Sequence, residues 1–290
     1  MNYQEFIENV QTKMDSLVAP GQKVSIHSIE KNNGTIYQGL VIIDPVLNIS
    51  PTIYLESFYH KYINGTSFSD ICDEILKTYQ QFTPTENFDE TIFTDYEKAK
   101  SRIVMKLVNY QKNHALLEKV PHVPYLDLAI VFVCCASNFE KEYSTILIHK
   151  HHMKHWNVDV STLYDIAKEN TPRLLPFHIE NMEEYLTKRC DWQPFDELIP
   201  MYILSNHLKI HGATVLLYDG LLEEIAKWLN SSFIVLPSSV HEVIIVPVHS
   251  KRELSRYTRM VEEVNATQLP IDDILSNHAY YYSKREHVLC

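Results

Sequence analysis

Phe6, Ile7, Val10, Met14 and Leu17 fall at helical spacing, and Pro20-Gly21 ends the run; the pattern predicts an amphipathic helix over residues 3–17. Val24, Ile26 and Ile29 then precede Asn32-Asn33-Gly34, and Ile36, Leu40, Ile42 and Ile43 follow it. Two strands joined by a tight Asn-Gly turn account for this, a β-hairpin. Ile53, Leu55, Phe58, Tyr59 and Tyr62, and after Gly65 the set Phe68, Ile71, Ile75, Leu76 and Tyr79, return to the helical period. A polar connection from Pro84 to Thr94 leads to Tyr96, Ala99, Ile103, Leu107 and Tyr110, which read as one apolar helix face with Lys98, Arg102 and Lys106 on another. A solvated face is the plainer reading of that basic stripe, and contact with an acidic partner such as nucleic acid is the other.

From Leu126 onward the order strand, strand, helix is predicted three more times. Leu128–Cys135 and Thr145–Ile148 precede a helix at Leu163–Lys168; Tyr202–Leu204 and Ala213–Tyr218 precede one at Leu221–Leu229; Phe233–Leu236 and Val243–Val248 precede one at Leu254–Val264. The units share no residue signature, so they are a common theme and not a repeat array. Hairpins pair antiparallel and the helices cover the sheets, which makes the expected class α+β. Residues 1–120 form the expected N-terminal helix, hairpin and helical region, and 121–290 an α+β region of three such units, the two being separate or continuous.

Composition removes several chemistries. Only six glycines occur, where average usage of roughly 7% gives about twenty. Gly34 and Gly39 have phosphate-loop spacing, but Leu40 stands where that loop requires Lys. The net charge of −11 is shared along the chain and disfavours binding along a phosphate backbone, which draws its affinity from Lys and Arg. The N-terminus lacks a basic segment followed by an apolar one, and the longest apolar stretch, Leu128 to Ala136, is far short of the ~18 residues that cross a bilayer. Cys72, Cys134, Cys135, Cys190 and Cys290 are an odd set in a chain large enough to fold without staples. Reduced thiols in a cytoplasmic protein are the natural expectation.

Two clusters carry candidate chemistry. In His149-Lys150-His151-His152-Met153-Lys154-His155-Trp156, a helix would put His151 and His155 on one face, as in a zinc-protease motif, but His152 stands where the catalytic Glu belongs. Further ligands would have to come from among His178, His207, His211, His241 and Cys190. In Pro237-Ser238-Ser239-Val240-His241-Glu242 a nucleophile, a base and an acid are neighbours along the chain. Across a short turn their side chains diverge, and turn serines bond nearby backbone. Adjacent Cys134 and Cys135 lie in an apolar strand and read as core. Asp272-Asp273 and Glu262-Glu263 read as solvated pairs, whereas Asp127, at the start of a buried strand, is placed for a specific hydrogen-bonded role.

Several strings together carry a resemblance: Lys31-Asn32-Asn33-Gly34, Asn48-Ile49-Ser50-Pro51-Thr52-Ile53-Tyr54-Leu55-Glu56, Lys106-Leu107-Val108-Asn109-Tyr110, Leu126-Asp127-Leu128-Ala129-Ile130-Val131, Asn170-Thr171-Pro172, Met201-Tyr202-Ile203-Leu204-Ser205-Asn206, Gly212-Ala213 and Leu236-Pro237-Ser238-Ser239-Val240-His241-Glu242. With Met260-Val261 and Glu263-Val264-Asn265 they resemble the bacterial family designated domain of unknown function 5688 over nearly the whole chain. The resemblance implies an intracellular bacterial setting and brings no catalytic residues. It implies that histidines near His149 and His152 belong to the pattern, with Trp156, and that His151 and His155 do not. The Pro-Ser-Ser-x-His-Glu string belongs to it as well.

The expected function is a cytoplasmic, non-enzymatic binding or regulatory module acting on a protein or small ligand, an accessory role in a mobile element being one such setting. Its candidate binding patch is Ser238, Ser239, His241 and Glu242, with no cofactor. The alternative is a hydrolase, either metal-dependent, with a divalent ion such as zinc on His149 and His152, or built on Ser238 and His241. Oligomeric state is not legible in the sequence.

Overall fold

The computed structural model describes residues 1–136, 145–189 and 199–290. Its first helix, α1 (Tyr3–Leu17), begins at a reciprocal cap: the Asn2 side chain accepts the Glu5 N–H, and the Glu5 carboxylate accepts the Asn2 N–H. Two donors with no intrahelical partner are thereby satisfied. The chain divides into two compact units, Met1–Glu90 and Thr91–Cys290.

In the first unit, β1 (Lys23–Glu30), β2 (Ile36–Ile43) and β3 (Thr52–Tyr54) form an antiparallel sheet in that order. Helix α1, with α2 (Leu55–Ile63) and α3 (Phe68–Phe82), supplies the rest of a core in which Phe6, Val10, Met14, Leu40, Ile42, Leu55, Ile71 and Ile75 are fully buried. The hairpin connection is wider than the tight turn expected. Glu30 pairs with Ile36, the Lys31 N–H donates to the Thr35 carbonyl at 2.7 Å, and a 3-10 turn occupies Asn32–Gly34. Asn33 and Gly34 both take positive φ, 59° and 70°, a conformation that glycine and asparagine adopt most readily.

The second unit begins with α4 (Thr91–Thr94), α5 (Tyr96–Lys100), β4 (Ile103–Asn109), α6 (His114–Leu117), β5 (His122–Tyr125), β6 (Leu128–Cys135) and β7 (Thr145–Leu147). Strand β6 is buried along its whole length and pairs antiparallel with β4, β5 and β7. After α7 (Lys150–Trp156) and α8 (Val160–Leu174) come β8 (Phe177–Asn181), α9 (Met182–Arg189), β9 (Tyr202–Asn206), α10 (Leu221–Trp228), β10 (Ser232–Leu236), β11 (Val243–Val248), α11 (Leu254–Thr267), β12 (Tyr280–Ser283) and β13 (Val288–Leu289). These later strands make an antiparallel sheet in the order β13-β12-β10-β11-β9-β8. The protein is α+β, and strand-strand-helix succession is only loosely kept. It holds for β6-β7 followed by α7 and α8, and for β10-β11 followed by α11. No helix among the described residues is long and apolar enough to cross a membrane.

Two expected elements are corrected. The helix expected through residues 96–110 stops at Lys100, and Ile103–Asn109 is a strand, buried at every residue except Lys106. A continuous apolar run suits a strand covered on both faces as well as a helix, and here tertiary pairing decides. The Met105 N–H donates to Thr171 Oγ1 at 2.9 Å, and Asn170 Nδ2 donates to the Lys100 and Ile103 carbonyls at 2.7 and 3.0 Å, so α8 is fastened along β4. Lys98, Arg102 and Lys106 therefore do not share a helix face, and the basis for a basic stripe is gone. The second correction is Ala213–Tyr218. Gly212–Leu217 is a 3-10 turn with Gly212 to Leu216 buried, and β9 pairs with β8 and β11 instead.

Candidate functional site

The C-terminal end of β9, the 3-10 turn and the β10-β11 connection meet at one polar junction. The Ser205 hydroxyl donates to the His241 carbonyl at 2.7 Å, and the Ala213 N–H donates to the Val240 carbonyl at 3.3 Å. Gly212 fits closely between them: a Cβ there would lie 2.0 Å from Ser205 Oγ and 2.3 Å from the His241 carbonyl. The Val240 N–H donates to the Asp273 carbonyl at 2.8 Å, which brings in the segment after α11.

His241 is held at both ring nitrogens. Nδ1 accepts the His211 N–H at 3.3 Å, and Nε2 lies 3.3 Å from Asp273 Oδ1. Accepting at Nδ1 puts the neutral ring's proton on Nε2, facing the carboxylate. The His211 ring stacks on it at 5.7 Å and 13°. Ser239 is buried, and its Oγ accepts the His241 N–H at 3.0 Å, closing the local turn. Ser238 and Glu242 are half-buried at the rim. A serine nucleophile needs a base nitrogen directed at its hydroxyl, and among the described residues neither Ser238 nor Ser239 donates to an imidazole nitrogen. The arrangement can present oriented polar groups and two stacked rings at the surface.

Asp273 and His211 were not among the candidates for this patch. Asp273 read as one of a solvated pair, yet it lies against His241 with a third of its side chain exposed. The hint in the sequence was the separate presence of Ser205-Asn206, Gly212-Ala213 and Ser238–Glu242 in one set of distinctive strings; their meeting is a tertiary fact.

The histidine run forms the start of α7. The His149 and His152 ring centroids are 5.9 Å apart, and His152 Nδ1 accepts the His149 N–H at 3.0 Å. The His152 ring stacks at 5.8 Å on both Phe93 and Trp156, while Trp156 Nε1 donates to the Phe93 carbonyl at 2.9 Å. Burial, reinforced by the neighbouring imidazoles of His151, His149 and His155, pushes the His152 pKa down to about 4. Among the described residues no group of three or more His, Cys, Asp or Glu side chains is placed to hold a metal ion.

Asp127 takes the specific role its position suggested. Its carboxylate accepts the Ser276 hydroxyl at 2.6 Å and the Tyr280 hydroxyl at 2.5 Å, tying the β5-β6 turn to the C-terminal segment. Cys134 and Cys135 are buried, and burial raises their thiols to about 11 and about 12. Cys190, a possible ligand on sequence grounds, lies outside the described residues.

Fold and site together define an α+β protein whose candidate patch is a preset polar junction of backbone-anchored side chains. The chain belongs to a family of unknown function, DUF5688, whose model matches residues 3–284. No curated protein and no solved structure matches it.

Proposed function

We propose that this chain is a cytoplasmic, non-enzymatic binding or regulatory module, and that Ser238, Ser239, His241 and Glu242, with His211 and Asp273, form its recognition patch for a protein or small ligand. The carrying observation is the double anchoring of His241, with the His211 N–H at Nδ1 and Asp273 at Nε2. Fixing a ring at both ends removes it from general-base duty and lowers the ordering cost of using it as a contact. About a third of the His241 and Asp273 side chains is exposed, enough for a partner to reach them.

Two experiments test this. A fluorophosphonate probe is expected to leave Ser238 and Ser239 unmodified, and covalent labelling of either overturns the non-enzymatic reading. Partner capture with the full chain is expected to be lost in a His241→Ala/Glu242→Ala double variant that keeps its native circular dichroism; capture unchanged by those substitutions rejects the patch.

A further inference from the structure

Elsewhere in the second unit, β5, α8, the segment opening α10 and the β12-β13 hairpin line an open cavity at the surface, of about 340 Å³. Its polar and aromatic lining residues are Tyr125, Tyr164, Tyr218, Tyr282, Asp219, Glu223 and His287, of which Tyr218 commits its hydroxyl to the Leu175 carbonyl at 2.6 Å. This composition is selective. No lysine or arginine lines it, and anions would face two carboxylates. Cations meet the opposite condition, because an aromatic ring attracts positive charge at its face and a carboxylate adds a directional partner.

The chain's own ammonium groups already use these acids. Lys168 Nζ lies 2.9 Å from Asp219 Oδ2, and Lys227 Nζ lies 2.5 Å from Glu223 Oε1. Side chains of all four are at least two-fifths exposed or close to it, and such pairs contribute little and exchange readily. A ligand ammonium can therefore share or replace the lysines without a large penalty. Tyr282 is held in place by stacking on Phe233 at 4.9 Å and 13°. Burial holds the Tyr125 phenol, and likewise that of Tyr282, above the ordinary tyrosine range, so both rings stay neutral.

We propose that this cavity is a binding site for a small organic ammonium group, either a free alkylammonium ion or the methylated amine of a lysine side chain, recognised by Tyr125, Tyr164 and Tyr282 together with Glu223 and Asp219. The site is separate from the His241 patch and stands without it.

The test is a titration of the ¹⁵N-labelled full chain with tetramethylammonium chloride, matched in ionic strength by sodium chloride. Saturable shifts centred on Tyr125, Tyr164, Gly220–Glu223 and Tyr282 are expected, absent with sodium. Tyr164→Leu should weaken binding about fivefold or more, Tyr164→Phe should retain it, and Glu223→Gln, at a partly exposed position, should weaken it in a fully folded protein. A shared response to sodium, no saturation, or an affinity left at the wild-type value by both Glu223→Gln and Tyr164→Leu overturns the site. A trimethyl-lysine peptide assigns the source: tighter binding than the free ion marks a modified protein as ligand, and equal binding marks a free amine, each outcome supporting the site.

Discussion

Gly212→Ala isolates the steric demand of the junction, because this glycine has no positive φ to relieve and its need is for space alone. The added Cβ would fall 2.0 Å from Ser205 Oγ, 2.3 Å from the His241 carbonyl and 2.9 Å from the Asn206 N–H nitrogen. Two of those three are backbone atoms of paired segments, so the turn itself must move. Overpacking a tight interior costs about 1–3 kcal/mol, and displacing Ser205 from the His241 carbonyl adds about 1 kcal/mol. The expected loss is about 2–4 kcal/mol, read as a lower urea midpoint at unchanged m-value. Gly220→Ala is the matched control: its φ of 73° is unfavourable to alanine, but nothing lies within 4 Å of the added Cβ. That variant should lose about 1 kcal/mol. If Gly212→Ala costs no more than Gly220→Ala, the junction is looser than its distances indicate, and the argument that it presets His241 fails with it.

The Asp127 network gives a second prediction. Asp127→Ala leaves the hydroxyls of Ser276 and Tyr280, both almost fully buried, without this acceptor, and should cost about 2–4 kcal/mol in urea denaturation. A third concerns pH. Folding lowers the His152 pKa from 6.5 to about 4, so the unfolded chain binds this proton first. The native state keeps its full stability above pH 6.5 and loses it as pH falls from 6.5 towards 4. With partial solvent screening the loss is about 1–2 kcal/mol, and His152→Phe should flatten that part of the stability profile. Finally, iodoacetamide should modify exposed Cys290 in the native protein and spare Cys134 and Cys135 until unfolding.

Where the apolar pattern had one periodic reading, the structure agrees with it. Helix α1 shows its core face at Phe6, Ile7, Val10 and Met14, and β10-β11 pairs Val235 with Ile245. Residues 96–110 fitted a helical period at Tyr96, Ala99, Ile103, Leu107 and Tyr110, but within them Ile103–Val108 is apolar everywhere except at Lys106 and so fits a strand as well. A run apolar at nearly every position does not distinguish period 2 from period 3.6, and only pairing with β6 and the Thr171 and Asn170 contacts from α8 make it a strand. Ala213–Leu217 failed for a related reason: an apolar run looks like a strand, but the backbone here turns tightly between Ser205 and His241. Strand β8 and helix α9 went unread because Phe177–Lys188 is largely polar and divided between half-buried and exposed residues, leaving little periodic contrast.

The candidate site was legible in its parts. Ser239 and His241 do meet, but through the His241 backbone N–H, because a turn serine competes for nearby main-chain donors. The ring of His241 is directed by residues 30 and 32 positions away, His211 and Asp273. Sequence adjacency therefore names residues that share one junction, while the ring contacts of His241 are set by partners distant along the chain. The same distinction separates two kinds of residue within the distinctive strings. Asn170, Thr171, Asp127 and Gly212 serve internal contacts that explain their chemical type without a ligand. His241 and Asp273 also make internal contacts, yet remain accessible where structural need alone would allow burial. Recognition is best sought among polar groups that are both fixed and exposed, and His241 and Asp273 at the junction meet that condition.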